Sequence, residues 1–175
     1  MIFLNESSYC DHRSMKDRSL DFIDIYLPDM EKATGGRFSI QNLINSASVL
    51  DVGCGSGALA YALRSMQFNG QIVGIDPNYP YKGETAYDLY QEIIPEDIRR
   101  DDVLSGLVKY KFNNIMCIGL PPEVTRFILT NKKKFKLENK GSLVIATEHD
   151  IEVPAGIEKF KGNYSADSHI YISKQ

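Results

Sequence analysis

The stretch VLDVGCGSGALAYAL, Val49 to Leu63, sets three glycines within five residues, preceded by an aspartate and followed by an alanine- and leucine-rich run. The apolar residues before Gly53 predict a short buried strand over 48–52. After Gly57, Leu59, Ala62, Leu63 and Met66 recur at i, i+3, i+4 and i+7, which predicts a helix packed on one side until Asn69-Gly70 turns the chain. A strand, a glycine turn and a helix in that order bring bare backbone and unpaired helix N–H groups to one place, where the polar atoms of a nucleotide-like ligand are readily held.

Working outward, short apolar segments alternate with amphipathic ones, the pattern of a mostly parallel sheet covered by helices. Strands are expected at 48–52, 71–75, 97–100, 113–118 and 142–147. Pro121-Pro122 marks a helix start, with Val124, Phe127 and Ile128 as its inner face. The segments GIEKFKGNY and SHIYISKQ predict an antiparallel pair that finishes the sheet. Residues 1–47 read as a helical cap: Leu20, Ile23, Leu27 and Met30 keep helical spacing, Pro28 interrupts or begins a segment, and Ser39 caps a short helix carrying Ile40, Leu43 and Ile44. The chain of 175 residues, 43% hydrophobic, is thus expected to form one α/β domain, with the cap over 1–47 and the core over 48–175.

Twenty Lys and Arg against 23 Asp and Glu leave a formal charge of −3, so no global positive field points to a nucleic-acid partner. Cys10, Cys54 and Cys117 are scattered without a paired C-x-x-C, which argues against a zinc site or a disulfide framework and fits the reducing cytoplasm. His12 beside Cys10 has no further ligand in view, so no metal is expected. No apolar run reaches the roughly 20 residues of a membrane span, and MIFLNESSYC is too short in its apolar part for a secretory signal.

The turn also satisfies the dinucleotide pattern G-x-G-x-x-G/A through Gly53, Gly55 and Ala58, with Asp76 at about the spacing of roughly 20 residues expected for a ribose carboxylate. Two features separate the readings: Asp51 stands where that fingerprint is normally apolar, and the third glycine comes at Gly57. VLDVGCGSG and the following IVGIDP resemble the first two motifs of the class I S-adenosylmethionine-dependent methyltransferases. The resemblance implies a Rossmann-like fold with a reversed final strand beside the fifth. It implies S-adenosylmethionine as cofactor, with Gly53, Cys54, Gly55, Ser56 and Gly57 against it, Asp51 at its amino-acid end, and Asp76, followed by Pro77, at the ribose hydroxyls. An acidic residue after the third strand would meet the adenine amine; Asp101 and Asp102 are both placed for this, and the motif does not choose between them.

The acceptor is written in fewer residues. In CIGLPPEVTRF, Leu120 stands where methylases of base amines carry Asn or Asp, and Glu123 where they carry an aromatic. The segment also lacks the Asp of the Lys-Asp-Lys-Glu set of ribose methylases. Both classes are therefore disfavoured. Glu123 and His149 are the nearest groups for proton transfer, although a helix's first turn and a surface loop are the readings their positions favour. The lysines of NKKKFK read as a solvated helix end. Tyr79, Tyr81, Tyr87 and Tyr90 follow Asp76, where their rings suit a substrate mouth or stacking on a base, although half-buried helix packing explains Tyr87 and Tyr90 equally well; the 78–90 loop with the amino-terminal helices is the expected lid and acceptor-selecting region. The acceptor is left open between a small molecule and an exposed group on RNA or protein. The alternatives are a catalytically silent S-adenosylmethionine-binding module and, against Asp51 and the terminal hairpin, an NAD-dependent oxidoreductase.

Overall fold

The computed structural model describes residues 13–135 and 137–174; Cys10, His12 and Lys136 lie outside them. Helix α1 (Met15–Asp21) runs through a π-helical turn, Phe22–Tyr26, into α2 (Leu27–Ala33), and α3 (Ile40–Ile44) follows. Strand β1 (Ser48–Val52) leads through the glycine turn into α4 (Ala58–Ser65), then β2 (Gln71–Ile75), a 3₁₀ turn at Tyr87–Leu89, β3 (Glu92–Ile94) and α5 (Asp101–Leu107). Next come β4 (Phe112–Ile118), α6 (Pro122–Thr130), β5 (Leu137–Thr147), β6 (Glu158–Lys161) and β7 (His169–Lys174).

The strands form a seven-stranded sheet in the order β3-β2-β1-β4-β5-β7-β6. Pairing is parallel from β3 to β5, while β7 lies antiparallel to both β5 and β6. The terminal hairpin expected from the sequence therefore inserts its second strand beside β5. Central β1 is buried along its whole length, as a parallel strand covered on both faces must be. Leu50 and Val52 meet α5 and α6 through Val103, Leu104, Ile128 and Leu129, while Val49 faces Leu27, Met30, Leu59 and Leu63 of the other helical layer.

The third strand departs from expectation. It lies at 92–94, not 97–100, where the chain instead turns into α5. A three-residue edge strand that ends at Pro95 buries too little apolar surface to leave a periodic trace. On α6 the fully covered residues are Thr125, Ile128 and Leu129, with Val124 and Phe127 only partly covered, one position around the helix from the expected face.

The amino-terminal helices show a second departure. Pro28 has no N–H to continue the α-pattern, and the Leu27 N–H instead reaches the Phe22 carbonyl five residues back. The extra residue rotates the inner face, so Leu20 and Ile25 are exposed while Leu27 and Met30 keep their expected burial. Ser39 caps α3 as expected, its hydroxyl accepting from the Asn42 N–H.

Among the contacts that fasten the cap to the far hairpin, besides the Arg37–Glu158 ion pair, is a buried carboxylate. Asp29, only 9% exposed, accepts from the backbone N–H and the side-chain amide of Asn163, both at 2.8 Å. Replacing Asp29 by alanine strands both donors and is expected to lower stability by about 1–3 kcal/mol, read from the urea midpoint at unchanged slope.

Candidate cofactor-binding site

The glycine turn forms because three of its residues adopt backbone angles that side chains resist: φ is +72° at Gly53, +53° at Gly55 and +95° at Gly57. The Gly53 N–H is tied to the Ile75 carbonyl at 2.8 Å, which binds the turn to the end of β2. A Cβ on Gly53 would stand 2.3 Å from Leu120 Cδ2, so the chain end of β4 packs directly on that glycine. Above Gly55 and Gly119 the space is open: a Cβ on Gly119 would meet nothing within 4 Å, and one on Gly55 would meet only the Gly53 carbonyl. The ends of β1 and β4 therefore present a stretch of uncovered backbone.

Two buried carboxylates lie under it. Asp76, 4% exposed at the end of β2, accepts the Gly55 N–H on Oδ2 at 3.0 Å and the Asn78 N–H on Oδ1 at 2.8 Å. These bonds fix the plane of its carboxylate beside the turn. The Tyr81 hydroxyl stands 3.4 and 3.5 Å from the two oxygens, and partial burial and the Asp76 charge push its proton affinity up to about 12.

Asp51, also 4% exposed, accepts the Tyr90 hydroxyl on Oδ2 at 2.6 Å. Burial pushes its pKa up to about 7, the Tyr90 bond opposes that rise, and the Asp76 charge adds to it. Burial, with help from the same carboxylates, also pushes the Cys54 thiol well up, which removes it as a nucleophile. Such a pair of buried carboxylates beside bare backbone suits a ligand with vicinal hydroxyls and a positive charge; this is the chemistry of an adenosyl sulfonium amino acid, so the residues present fit S-adenosylmethionine.

The loop over the site is held by polar contacts. The Ala86 N–H donates to the Ser56 carbonyl, the Tyr81 N–H to the Tyr87 hydroxyl, and the rings of Tyr79 and Tyr87 pack 4.8 Å apart. Its outer side is bound to α1: the Met15 N–H donates to Glu84 Oε2, and Arg18 to the Glu84 carbonyl.

The turn residues Gly53 to Gly57 thus gather with Asp51 and Asp76, while exposed Pro77 leads into the loop. Asp101 and Asp102 do not join them. They open α5, exposed, and pair with Lys134 and Arg100 respectively, because the strand they were taken to follow ends seven residues earlier. The acidic residues nearest the end of β3 are Glu96 and Asp97, which sequence reasoning missed by misplacing that strand. Asp97 is held by the Arg99 guanidinium, which keeps its carboxyl below the usual range.

Glu123 lies exposed in the first turn of α6, where its charge acts on the Arg99 guanidinium. His149 follows β5 and works through its backbone, its N–H donating to Thr147 Oγ1 and its carbonyl accepting from Tyr171. In the lysine cluster, Lys132 donates to the carbonyls of Ala155 and Gly156 and so fastens the β5–β6 connection. Tyr90, expected as helix packing or a substrate-mouth aromatic, instead reaches Asp51. The signal for it was Gly74 in the middle of β2: a Cβ there would stand 2.8 Å from Cys54 Sγ and 2.9 Å from the Tyr90 ring.

Residues 44–79 match a family model described as a methyltransferase domain. Ribosomal RNA large subunit methyltransferase G of Psychromonas ingrahamii is 29% identical over 145 residues, which cover 74% of this chain. The chain spans only 37% of that relative's length. Among solved structures, the Escherichia coli protein yhhF superposes with a TM-score of 0.54 at 14% identity, over 93% of this chain and 87% of that one. A chain of a fibrillarin/Nop5p complex gives 0.54 at 19%, over 74% and 73%. Coclaurine N-methyltransferase bound to N-methylheliamine and SAH gives 0.51 at 19%, over 78% and 38%. These structures share the fold.

The buried Asp51 carboxylate carries a pH signature. The unfolded chain releases this proton near pH 4 and the folded chain near 7, so the folded state holds the extra proton between them and stability falls as pH rises through that window. Asp51→Asn retains an oxygen for Tyr90 and removes the charge. Its stability relative to wild type is expected to be greater at pH 8 than at pH 5 by about 2–3 kcal/mol, read from urea unfolding at the two pH values.

Proposed function

We propose that this chain is a class I S-adenosylmethionine-dependent methyltransferase that transfers a methyl group from that donor to an acceptor that arrives already nucleophilic. The observation that carries the reading is the pairing of Asp51 and Asp76 beneath a turn of three positive-φ glycines. When bound, S-adenosylmethionine supplies a methyl group on a positively charged sulphur. Asp76 receives the two ribose hydroxyls, its plane already set by the Gly55 and Asn78 N–H groups. Asp51 meets the ammonium end. Asp97, whose side chain is less exposed than that of Glu96, takes the adenine-facing place at the end of β3.

Little in the β4 terminus accepts a proton. Gly119, Leu120, Pro121 and Pro122 carry no ionisable group, and Leu120 is buried on Gly53. Rate enhancement then rests on holding donor and acceptor in line, for which proximity alone supplies a large share of the barrier reduction. A neutral nitrogen, a sulphur or an already ionised oxygen meets that requirement. The named relative acts on ribosomal RNA, which puts an RNA group among the acceptors beside small molecules and protein, and the reading also places the chain in the cytoplasm.

The same apolar terminus favours a second reading, a silent S-adenosylmethionine-binding module. Transfer of labelled methyl from the donor to RNA, protein and small-molecule fractions of an extract decides between the two.

The Tyr81 hydroxyl lies where the ribose hydroxyls must arrive, so it has to leave on binding. Calorimetry with S-adenosylhomocysteine is expected to show Asp76→Ala weakening binding by about 1–3 kcal/mol, while Tyr81→Phe, freed of that competing contact, binds at least as tightly as wild type. Unchanged affinity in Asp76→Ala refutes the ribose assignment.

A further inference from the structure

Asp51 sits at the end of β1 with one oxygen taken and, among the described residues, one left over. Its Oδ2 accepts the Tyr90 hydroxyl at 2.6 Å, and Tyr90 is 8% exposed, so the bond is shielded from water. The ring is held on several sides. It lies against the positions a Cβ would take on Gly57 and on Gly74, whose bareness admits it. The segment before it is tied down by Arg64, which donates to the Leu89 carbonyl, and by the Tyr90 N–H on the Tyr87 carbonyl. The groups facing Asp51 from the neighbouring elements are Asp76 at the end of β2, Cys54 in the turn and Cys117 on β4. Ionised, each of these would hold a proton on Asp51. Tyr90 is the group that opposes them.

We infer that Tyr90 is a positioning residue for the cofactor's ammonium group: by donating to Oδ2 it keeps Asp51 ionised and leaves Oδ1 directed to the ligand. The inference rests on the reading of the site as an S-adenosylmethionine site and extends it to a residue outside the glycine motif. Its physical basis is that a buried carboxylate binds a cation only in its charged form, and a phenol donor stabilises that form without itself carrying charge. Gly74 serves the same end by leaving room for the ring.

The test is the pH profile of S-adenosylhomocysteine binding, measured by calorimetry from pH 5.5 to 9 in wild type and Tyr90→Phe. In wild type the affinity is expected to rise with pH to a plateau, with a midpoint near 7. In Tyr90→Phe the midpoint moves up by about one pH unit, so that affinity drops about tenfold at pH 6.5 and stays within about twofold of wild type at pH 9. A loss of equal size at every pH marks a merely structural tyrosine and overturns the inference, as does an unmoved midpoint. Wild-type chain that fails to bind S-adenosylhomocysteine at any pH overturns the site reading as well. The wild-type chain supplies a second measurement that needs no folded variant. The ring carbon bearing the Tyr90 hydroxyl, ¹³C-labelled, should shift with the Asp51 midpoint, and that midpoint should fall when S-adenosylhomocysteine is added; a resonance that ignores pH between 5.5 and 9 overturns the inference.

Discussion

The constraint around which this structure is arranged is the burial of two carboxylates side by side. Asp51 and Asp76 end adjacent parallel strands, and both are almost fully withdrawn from solvent. Burial disfavours the charged form and the neighbouring Asp76 charge adds to that, which is why Asp51 is held up near neutrality. The fold compensates with donors rather than with cations: two backbone N–H groups for Asp76 and one phenol for Asp51. Neutral donors leave the negative charge unquenched, which is the condition for attracting a positively charged ligand. A salt bridge in either place would stabilise the resting protein and blunt the site.

Packing around the pair follows from that need. Gly53 admits Leu120, Gly57 admits Ala86 and Tyr90, and Gly74 admits Cys54 and Tyr90, so that each missing side chain is matched by a neighbour pressing in. Beside the carboxylates, Gly55 and Gly119 are the glycines left uncovered. Glycines of the same motif thus divide into those that let the protein close on itself and those that leave room for something else.

The fold was legible where burial is continuous. β1, α4, β2 and the terminal hairpin announce themselves by unbroken apolar runs or by clean alternation bounded by glycine and polar turns. β3 did not, because one exposed and two half-buried residues at a sheet edge leave no period, and with the strand misplaced the acidic pair at its end, Glu96 and Asp97, went unread. The π-turn was half legible: Pro28 told of an interruption, but its form depends on where Leu27 and Met30 find a core. At the site, Asp51 and Asp76 stood out because the motif fixes their distance from the glycines. Tyr90 left only the bare Gly74 as a trace, since 39 residues separate it from Asp51 and only the folded sheet brings them together.

The attachment of the 78–90 loop to α1 reaches beyond the site itself. Glu84 is gripped by the Met15 N–H and, through its carbonyl, by Arg18, while Tyr81 of the same loop leans on Asp76. Displacing Tyr81 therefore strains a tether that ends on the amino-terminal helix, and linkage works in both directions. On the proposed reading of the site, a contact that pulled α1 away from Glu84 would change how Tyr81 rests on Asp76, and a ligand that displaced Tyr81 would in turn loosen or tighten α1, making the cap a reporter of occupancy at a distance.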